Sequence, residues 1–421
     1  MSNPPGDRAA LLARRARVLA PTYRLFYEQP LQIVRAEGVW MYDEHGRRYL
    51  DAYNNVPVVG HCHPRVVEAL THQARTLNTH TRYLAEQPLQ LAEELLATMP
   101  QELGRVIFTC TGSEANDLAV RIAKAVTGGS GFIVTEFAYH GATDLIAGMS
   151  PEDGGPLGPG VYTVPPPLGP AAAAAFGEQV RRCIERMQAD GRRLAAMLVD
   201  TIFSSDGVVA DPRGLLADAV HHVHAAGGLF IADEVQPGFG RLGESMWGFQ
   251  RHGILPDLVT MGKPMGNGHP VAAVAGRASV FAQFASGRHY FNTYGGNSVS
   301  CATALAVLQV IREEKLMENA RRTGEHLLQG LRSLARRYDA IREVRGAGLF
   351  IGVQLGANAA SGLAGAAETR RIVNGLRGRG ILVGSTGRNG DVLKIRSPLP
   401  LEPQHADLLL AALDQTLAAA A

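Results

Sequence analysis

The chain reads as an α/β protein: a large mixed, mostly parallel sheet covered by helices, with a smaller α+β lobe drawn from the chain ends. Three features predict this. Strand-like and helix-like segments alternate between about residues 105 and 315. Strands such as Gly228-Leu-Phe-Ile-Ala232 are continuously apolar rather than alternating, the pattern of strands buried on both faces. From about residue 316 the texture changes to helix, short strands and a closing helix, as in a separate lobe. The expected division is 1–62 for the N-terminal segment and part of the small domain, 63–315 for the large domain and 316–421 for the C-terminal small domain.

Taken in order, Gln32 to Tyr42 and Arg47 to Ala52 are expected to pair as a hairpin around Asp43-Glu-His-Gly46. Pro64 opens a helix running to Thr76. Then come helix 89–98, strand Arg105 to Cys110, helix 114–126, strand 131–135 and helix 141–148, before a Gly/Pro-rich loop from Ser150 to Pro170. Helix 171–190, strand 195–203, helix 214–226, strands 228–235, 258–261 and 270–276, and a long helix 297–315 follow. In the tail, Val344, Leu349 to Leu355 and Leu393 to Arg396 read as short strands. Met1 to Ala20, with Asp7 as its only acid, has the composition of a transit peptide, but arginine excess runs through the whole chain, so it is read as a solvated amphipathic helix. The Ala-rich runs at 171–175 and 418–421 are helix filler.

Against 41 basic side chains stand 39 acidic ones, a net charge of +2 that leaves no polybasic field for nucleic acid or anionic lipid. No apolar run reaches the ~18 residues that would suggest a membrane span. Cys62, Cys110, Cys183 and Cys301 are scattered without a CxxC pair, so neither a disulfide framework nor a zinc cage is expected, and a reducing, cytoplasmic setting is. His61-Cys62-His63 is too tight for a metal cage and reads as a loop-shaping element. Of the 41 basic residues only four are lysines, leaving 37 arginines. Any chemistry that needs a primary amine must therefore use Lys124, Lys263, Lys315 or Lys394.

In open α/β sheets ligands gather outside the carboxyl ends of the strands. At the first such end, Cys110-Thr-Gly-Ser-Glu-Ala-Asn116 runs from strand into helix. Gly112 permits close backbone approach, Ser113 offers a hydroxyl or a cap, and the free N–H groups favour a phosphate, although an ordinary capped helix start has the same composition. At the second, Asp233-Glu-Val-Gln236 ends an apolar strand in two acids, suited to a protonated heteroaromatic nitrogen or to magnesium. Gly238-Phe-Gly240-Arg-Leu-Gly243 then matches G-x-G-x-x-G, but Asp257 precedes its strand where a dinucleotide fold wants an acid after it. At the third, Lys263 lies between a strand end and a glycine-rich turn. Lys124 ends a helix, Lys315 lies in a charged surface run and Lys394 sits in a short tail strand, so Lys263 is the amine facing the ligand edge. Arginine cannot replace a lysine that must attack a carbonyl.

A phosphate cradle, an acid for a ring nitrogen and an imine-forming lysine are together what pyridoxal 5'-phosphate requires. The runs Gly112-Ser-Glu-Ala-Asn116, Tyr139-His140, Asp233-Glu-Val-Gln236 before Gly238-Phe-Gly240-Arg241, Gly262-Lys263 and Asn292-Thr293-Tyr-Gly-Gly-Asn297 resemble the class III aminotransferases of fold type I, over about residues 30–400. Asn54-Asn55, Gly60-His-Cys-His-Pro64, Leu77-Asn-Thr-His-Thr-Arg82 and Thr260-Met-Gly-Lys-Pro-Met-Gly-Asn-Gly-His-Pro270 are most similar to the branch of alanine-glyoxylate aminotransferase 2 and ethanolamine-phosphate phospho-lyase. The resemblance implies that Lys263 carries the cofactor as an imine and then shuttles the Cα proton, while Asp233 keeps the pyridine nitrogen protonated. It further implies a cofactor site of Gly112, Ser113, Tyr139, His140, Asp200, Val235 and Gln236, with Tyr139 and Val235 on the two ring faces. Thr293 would complete the phosphate site from a partner subunit, so a homodimer, or a dimer of dimers, is expected.

Departures bear on the substrate. Asp200-Thr201 stands where many relatives carry Glu-Pro, which puts in question the switch by which that glutamate neutralises the substrate arginine. That arginine corresponds to Arg396, a bidentate carboxylate clamp or else a structural ion pair; Asn55 and Arg82 are the other substrate-contact candidates. The expected activity is transfer of an amino group from an amine or amino acid to an oxo acid. A phospho-lyase eliminating phosphate and ammonia from a phosphorylated amino alcohol is the alternative, and a nicotinamide oxidoreductase built on the Gly238 motif a lesser one.

Overall fold

In the computed structural model, which describes residues 8–358 and 361–419, the apolar runs of the middle of the chain form one seven-stranded sheet. Its strands are β4 (Arg105–Thr109), β5 (Gly131–Thr135), β6 (Val161–Val164), β7 (Leu194–Asp200), β8 (Leu229–Asp233), β9 (Leu258–Met261) and β10 (Ala272–Gly276). Their order is β4-β10-β9-β8-β7-β5-β6, and only β10 runs against the rest. The expected mixed, mostly parallel sheet is thus present, and β5 is buried at every residue. Three earlier strands, β1 (Ile33–Glu37), β2 (Trp40–Asp43) and β3 (Arg48–Asp51), join the tail strand β13 (Ile381–Leu382) in a second sheet. A third holds β11 (Ile341–Ala347), β12 (Phe350–Leu355), β14 (Gly384–Thr386) and β15 (Val392–Ile395).

The helices are α1 (Arg8–Val18), α2 (Pro64–Thr76), α3 (Glu86–Leu96), α4 (Gly112–Thr127), α5 (Asp144–Ala147), α6 (Pro170–Ala189), α7 (Ala217–Ala225), α8 (Gly248–Arg251), α9 (Ala278–Ala285), α10 (Ser298–Glu313), α11 (Leu316–Ala335), α12 (Gly365–Gly378) and α13 (Pro403–Ala418). Helix α1 buries none of its residues, as expected of a solvated helix, while residues 1–7 and 420–421 of the two terminal runs lie outside the described residues.

Several expectations need correction. The strand placed at 32–42 is itself a hairpin, because Gly38 at φ +56° reverses the chain between β1 and β2. Helix 141–148 shrinks to α5, since Gly141 at φ +140° cannot be helical. The loop 150–170 contains β6, a four-residue edge strand too short to announce itself. Helix α9 was not anticipated. Residues 238–243 run as turns with Gly240 and Gly243 at φ +74° and +78°, so the G-x-G-x-x-G stretch does not open a helix and lacks the geometry of a dinucleotide site.

Register decides where the chemistry collects. Across β7, β8 and β9, Asp200 pairs with Asp233 and Asp233 with Thr260, so three parallel strands end level. Lys263 follows Thr260 by one short turn, and Gly112 opens α4 just beyond the end of β4.

Candidate active site

Helix α4 begins with a capping box: the Thr111 hydroxyl accepts from Glu114 N, and the Glu114 carboxylate accepts from Cys110 N and Thr111 N. That arrangement uses the donors around the cap and turns the N–H groups of Gly112 and Ser113, with the positive end of a 16-residue helix, toward the strand ends. Gly112 must be glycine, because a Cβ there would lie 2.9 Å from Val235 Cγ1. Gly141 is equally constrained, since its Cβ would meet Ser113 Oγ at 2.5 Å.

Nine of the anticipated residues line one cavity of about 140 Å³: Gly112, Ser113, Tyr139, His140, Asp200, Asp233, Val235, Gln236 and Lys263, with Gly141 as the tenth wall. Asp233 is 4% exposed and heavily bonded. It accepts from Asn116 Nδ2 at 2.9 Å and from Val235 N at 3.0 Å, and lies 2.7 Å from His140 Nδ1. An ionised carboxylate only accepts, so His140 donates from Nδ1, which leaves its buried Nε2 without a partner. Lys263 sits at φ +35°, a rare conformation for a side-chain-bearing residue, with its amine 6.0 Å from the centre of the Tyr139 ring. Burial pushes its amine below the ordinary lysine value; Arg396 adds to this and Asp233 opposes it.

Asp200 lines the same cavity and is bonded locally. Its carboxylate accepts from Ile202 N at 3.0 Å, Ser204 N at 3.3 Å and the Ser204 hydroxyl, and burial followed by repulsion from Asp233 raises its pKa. Arg396 instead donates through Nη1 to Gln236 Oε1 at 2.5 Å, so Gln236 joins the cavity to the tail sheet. Asn55 is buried and spends its amide on Gln236 O at 3.1 Å. Arg82 lies outside the cavity of its own chain, because its guanidinium stacks 3.9 Å above Phe291; Thr293, two residues on, is exposed and likewise outside. His61 pairs with Asp51 and His63 with Glu314, and no metal-holding cluster is found among the described residues.

Two residues gained a position that the sequence reading did not anticipate. Asn116 bridges Asp233, His140 O (2.7 Å) and Thr260, whose hydroxyl donates to its Oδ1 at 2.6 Å; the only sequence signal was its inclusion in the Gly112 run. Lys394 is in the expected strand but is not a peripheral lysine. It is 6% exposed, with its Nζ 5.7 Å from the centre of the Phe350 ring, and burial followed by Arg396 pushes its amine well below the ordinary lysine value.

The cavity suits pyridoxal phosphate: a glycine-walled helix start for an anion, a buried acid for a ring nitrogen, an aromatic and a valine on opposite walls, and an amine. Bound there, the cofactor supplies the electron sink that acidifies a substrate Cα–H. The chain's own part is to hold Asp233 in place through Asn116 and His140, and to present an amine whose proton affinity burial has lowered.

Comparison with known proteins agrees. The family model for class-III aminotransferases matches residues 25–417. The chain is 38% identical to the alanine-glyoxylate aminotransferase 2-like protein of Drosophila melanogaster, covering 94% of this chain and 84% of that one. It is 36% identical to the ethanolamine-phosphate phospho-lyase homolog 1 of Caenorhabditis elegans, covering 98% and 94%. Among solved structures it is similar to a phospholyase from Arthrobacter in complex with phosphoethanolamine, at 41% identity, TM-score 0.93 and coverage of 97% and 99%. A glycine-lined helix start, an acid and a lysine at three strand ends are therefore joined by sequence and structural kinship, and the chain belongs to the class-III aminotransferase family of pyridoxal-phosphate-dependent enzymes.

Proposed function

We propose that this enzyme eliminates phosphate from a phosphorylated amino alcohol, giving aldehyde, ammonia and inorganic phosphate with consumption of one water. The observation that carries this reading is the local bonding of Asp200. Two-step amino transfer to an oxo acid asks one pocket to accept partners of different charge, and an acid able to pair with Arg396 would serve that exchange. Asp200 is bonded to Ser204 and Ile202, and no ion pair joins it to Arg396 among the described residues, so the Arg396 donors not used by Gln236 can meet an anion. The likeness to a phospholyase complexed with phosphoethanolamine supports the same reading.

In this reading Lys263 removes the Cα proton, the Cβ–O bond breaks with its electron pair leaving on phosphate, and the released unsaturated amine hydrolyses to aldehyde and ammonia. Asp233 keeps the ring nitrogen protonated throughout. Thr293 and Arg82 act from a partner subunit in a homodimer, which suits their exposure on one chain. Transamination is the second reading, favoured by the planar Arg396 fork beside the cavity, a fitting clamp for an α-carboxylate. Holoenzyme incubated with phosphoethanolamine and no oxo acid decides between them. Continuous phosphate release over many turnovers is expected; one equivalent of pyridoxamine phosphate from an amino donor, with no phosphate release, would overturn the proposal.

A further inference from the structure

We infer that Lys394 and Arg396 together form the subsite for a doubly charged phosphate group of the substrate, an inference that rests on the elimination reading above. Lys394 is the third residue of β15 and Arg396 follows one residue past its end. Both lie beside one aromatic: Lys394 Nζ is 5.7 Å and the Arg396 guanidinium carbon 6.0 Å from the centre of the Phe350 ring. On either side Lys394 is paired with a glycine, Gly352 of β12 and Gly384 of β14. Side chains there would strike Val208 at 3.0 Å and Tyr53 at 2.7 Å, so the glycines bring the loop after β7 and Tyr53 up beside Lys394. Arg396 itself stacks 5.2 Å from Tyr53.

Lys394 is 6% exposed, and what surrounds its amine is the Phe350 ring and the charges of Arg396, Glu152 and Asp200. Arg396 is bonded only to Gln236, and its buried Nε has no acceptor. The acids nearest to Lys394 are already engaged: Asp200 with Ser204 and Ile202, and Glu152 with the Ser205 hydroxyl at 2.7 Å. Burial and the neighbouring Arg396 push the Lys394 amine well below its ordinary value, and an anion bound beside both groups would favour its charged form again. A carboxylate carries one charge and is satisfied by a single guanidinium fork. A phosphate monoester carries about −1.5 to −2 charge at neutral pH and three acceptor oxygens, which matches two basic side chains set two residues apart. The same pair would stabilise the charge that collects on phosphate as the Cβ–O bond breaks.

The test uses holoenzyme, in which the cofactor's own phosphate already fills the Gly112 cradle. Phosphoethanolamine and ethanolamine are titrated while the cofactor absorption is followed, inorganic phosphate is added as a competitor, and released phosphate is measured separately. Lys394→Gln is expected to weaken phosphoethanolamine binding about 10- to 100-fold and inorganic phosphate competition comparably, while weakening ethanolamine far less; Lys394→Arg, which keeps the charge, should recover most of the loss. Equal loss for both amines, or no loss for either, overturns the subsite. If Lys394→Gln does not fold, Lys394→Arg and phosphate competition on the wild type still decide: a wild type in which millimolar phosphate does not compete with phosphoethanolamine refutes it. The two proposals fail separately. Lys394-dependent binding without phosphate release sinks the elimination reading and supports the subsite; undiminished elimination by Lys394→Gln does the reverse.

Discussion

The cavity at the strand ends and the basic pair Lys394 and Arg396 at the end of β15 meet where Arg396 donates to Gln236, yet the two regions are built in opposite ways. Each wall of the cavity follows its own strand within a few residues: Gly112 after β4, Asp200 and Asp233 at the ends of β7 and β8, Lys263 after β9. Parallel register alone brings them level. The basic pair comes from the far end of the chain and acquires its place only by packing of the tail sheet on the loop after β7. There Thr386 donates to Ser204 O and Ser205 O, and Arg345 donates to Gly207 O and Val208 O. One region is set by local backbone topology and the other by long-range packing, and the chain places an amine in each.

The largest expected effect asks whether those two amines are interchangeable. Lys263→Ala should lower kcat by at least about 10³-fold, since the covalent anchor and the proton shuttle are lost together. Borohydride reduction of the wild type followed by peptide mapping should find the cofactor on Lys263. A label on Lys394, or a Lys263→Ala enzyme that keeps its rate, would break the division between an imine-forming amine and an anion-binding one.

Next in size is Asn116, the brace that ties three elements of the cavity together. Asn116→Ala removes its bonds to Asp233, His140 O and Thr260, and leaves buried polar groups unmatched. Each such orphan costs about 1–3 kcal/mol. A lower Tm together with roughly a tenfold fall in kcat is expected, because Asp233 loses its aim as well as a bond. A fall in Tm with unchanged kcat would reduce Asn116 to a structural role.

This contrast also explains what was legible in the sequence. Gly112, Asp233 and Lys263 could be found because strand, turn and chemistry are contiguous, and a chain with four lysines narrows the choice of amine. The role of Asn116 is not legible in the sequence because its partners Asp233 and Thr260 lie 117 and 144 residues away, on β8 and β9. Lys394 was misjudged for a related reason. All four residues of β15 are buried, so the strand has no polar face to announce which way its lysine points, and Gly352 and Gly384 carry their message only once paired with it. The unexpected hairpin at Gly38 and the trimmed helix after Gly141 are cases where one residue at positive φ overrode an otherwise regular pattern.

The smallest expected effect probes the loop that joins the two regions. Asp206 lies on it, buried, with Thr135 Oγ1 at 2.6 Å and Phe137 N at 3.1 Å donating to its carboxylate. Burial pushes its pKa up to about 7, and Asp200 adds to the rise while His140 opposes it. In the unfolded chain an aspartate titrates near ~3.9. Below that value the group is protonated in both states and imposes no penalty. As the pH climbs from about 4 to 7, the unfolded chain ionises while the folded chain still holds its proton, so folded stability declines across this window and levels off above it. Asp206→Asn cannot titrate and should lack that slope. The Tm of the wild type should therefore fall relative to Asp206→Asn between pH 5 and pH 8, by a few degrees at most. Parallel Tm profiles would mean that the two donors hold Asp206 ionised throughout, and that the loop joining cavity and tail sheet carries a fixed charge.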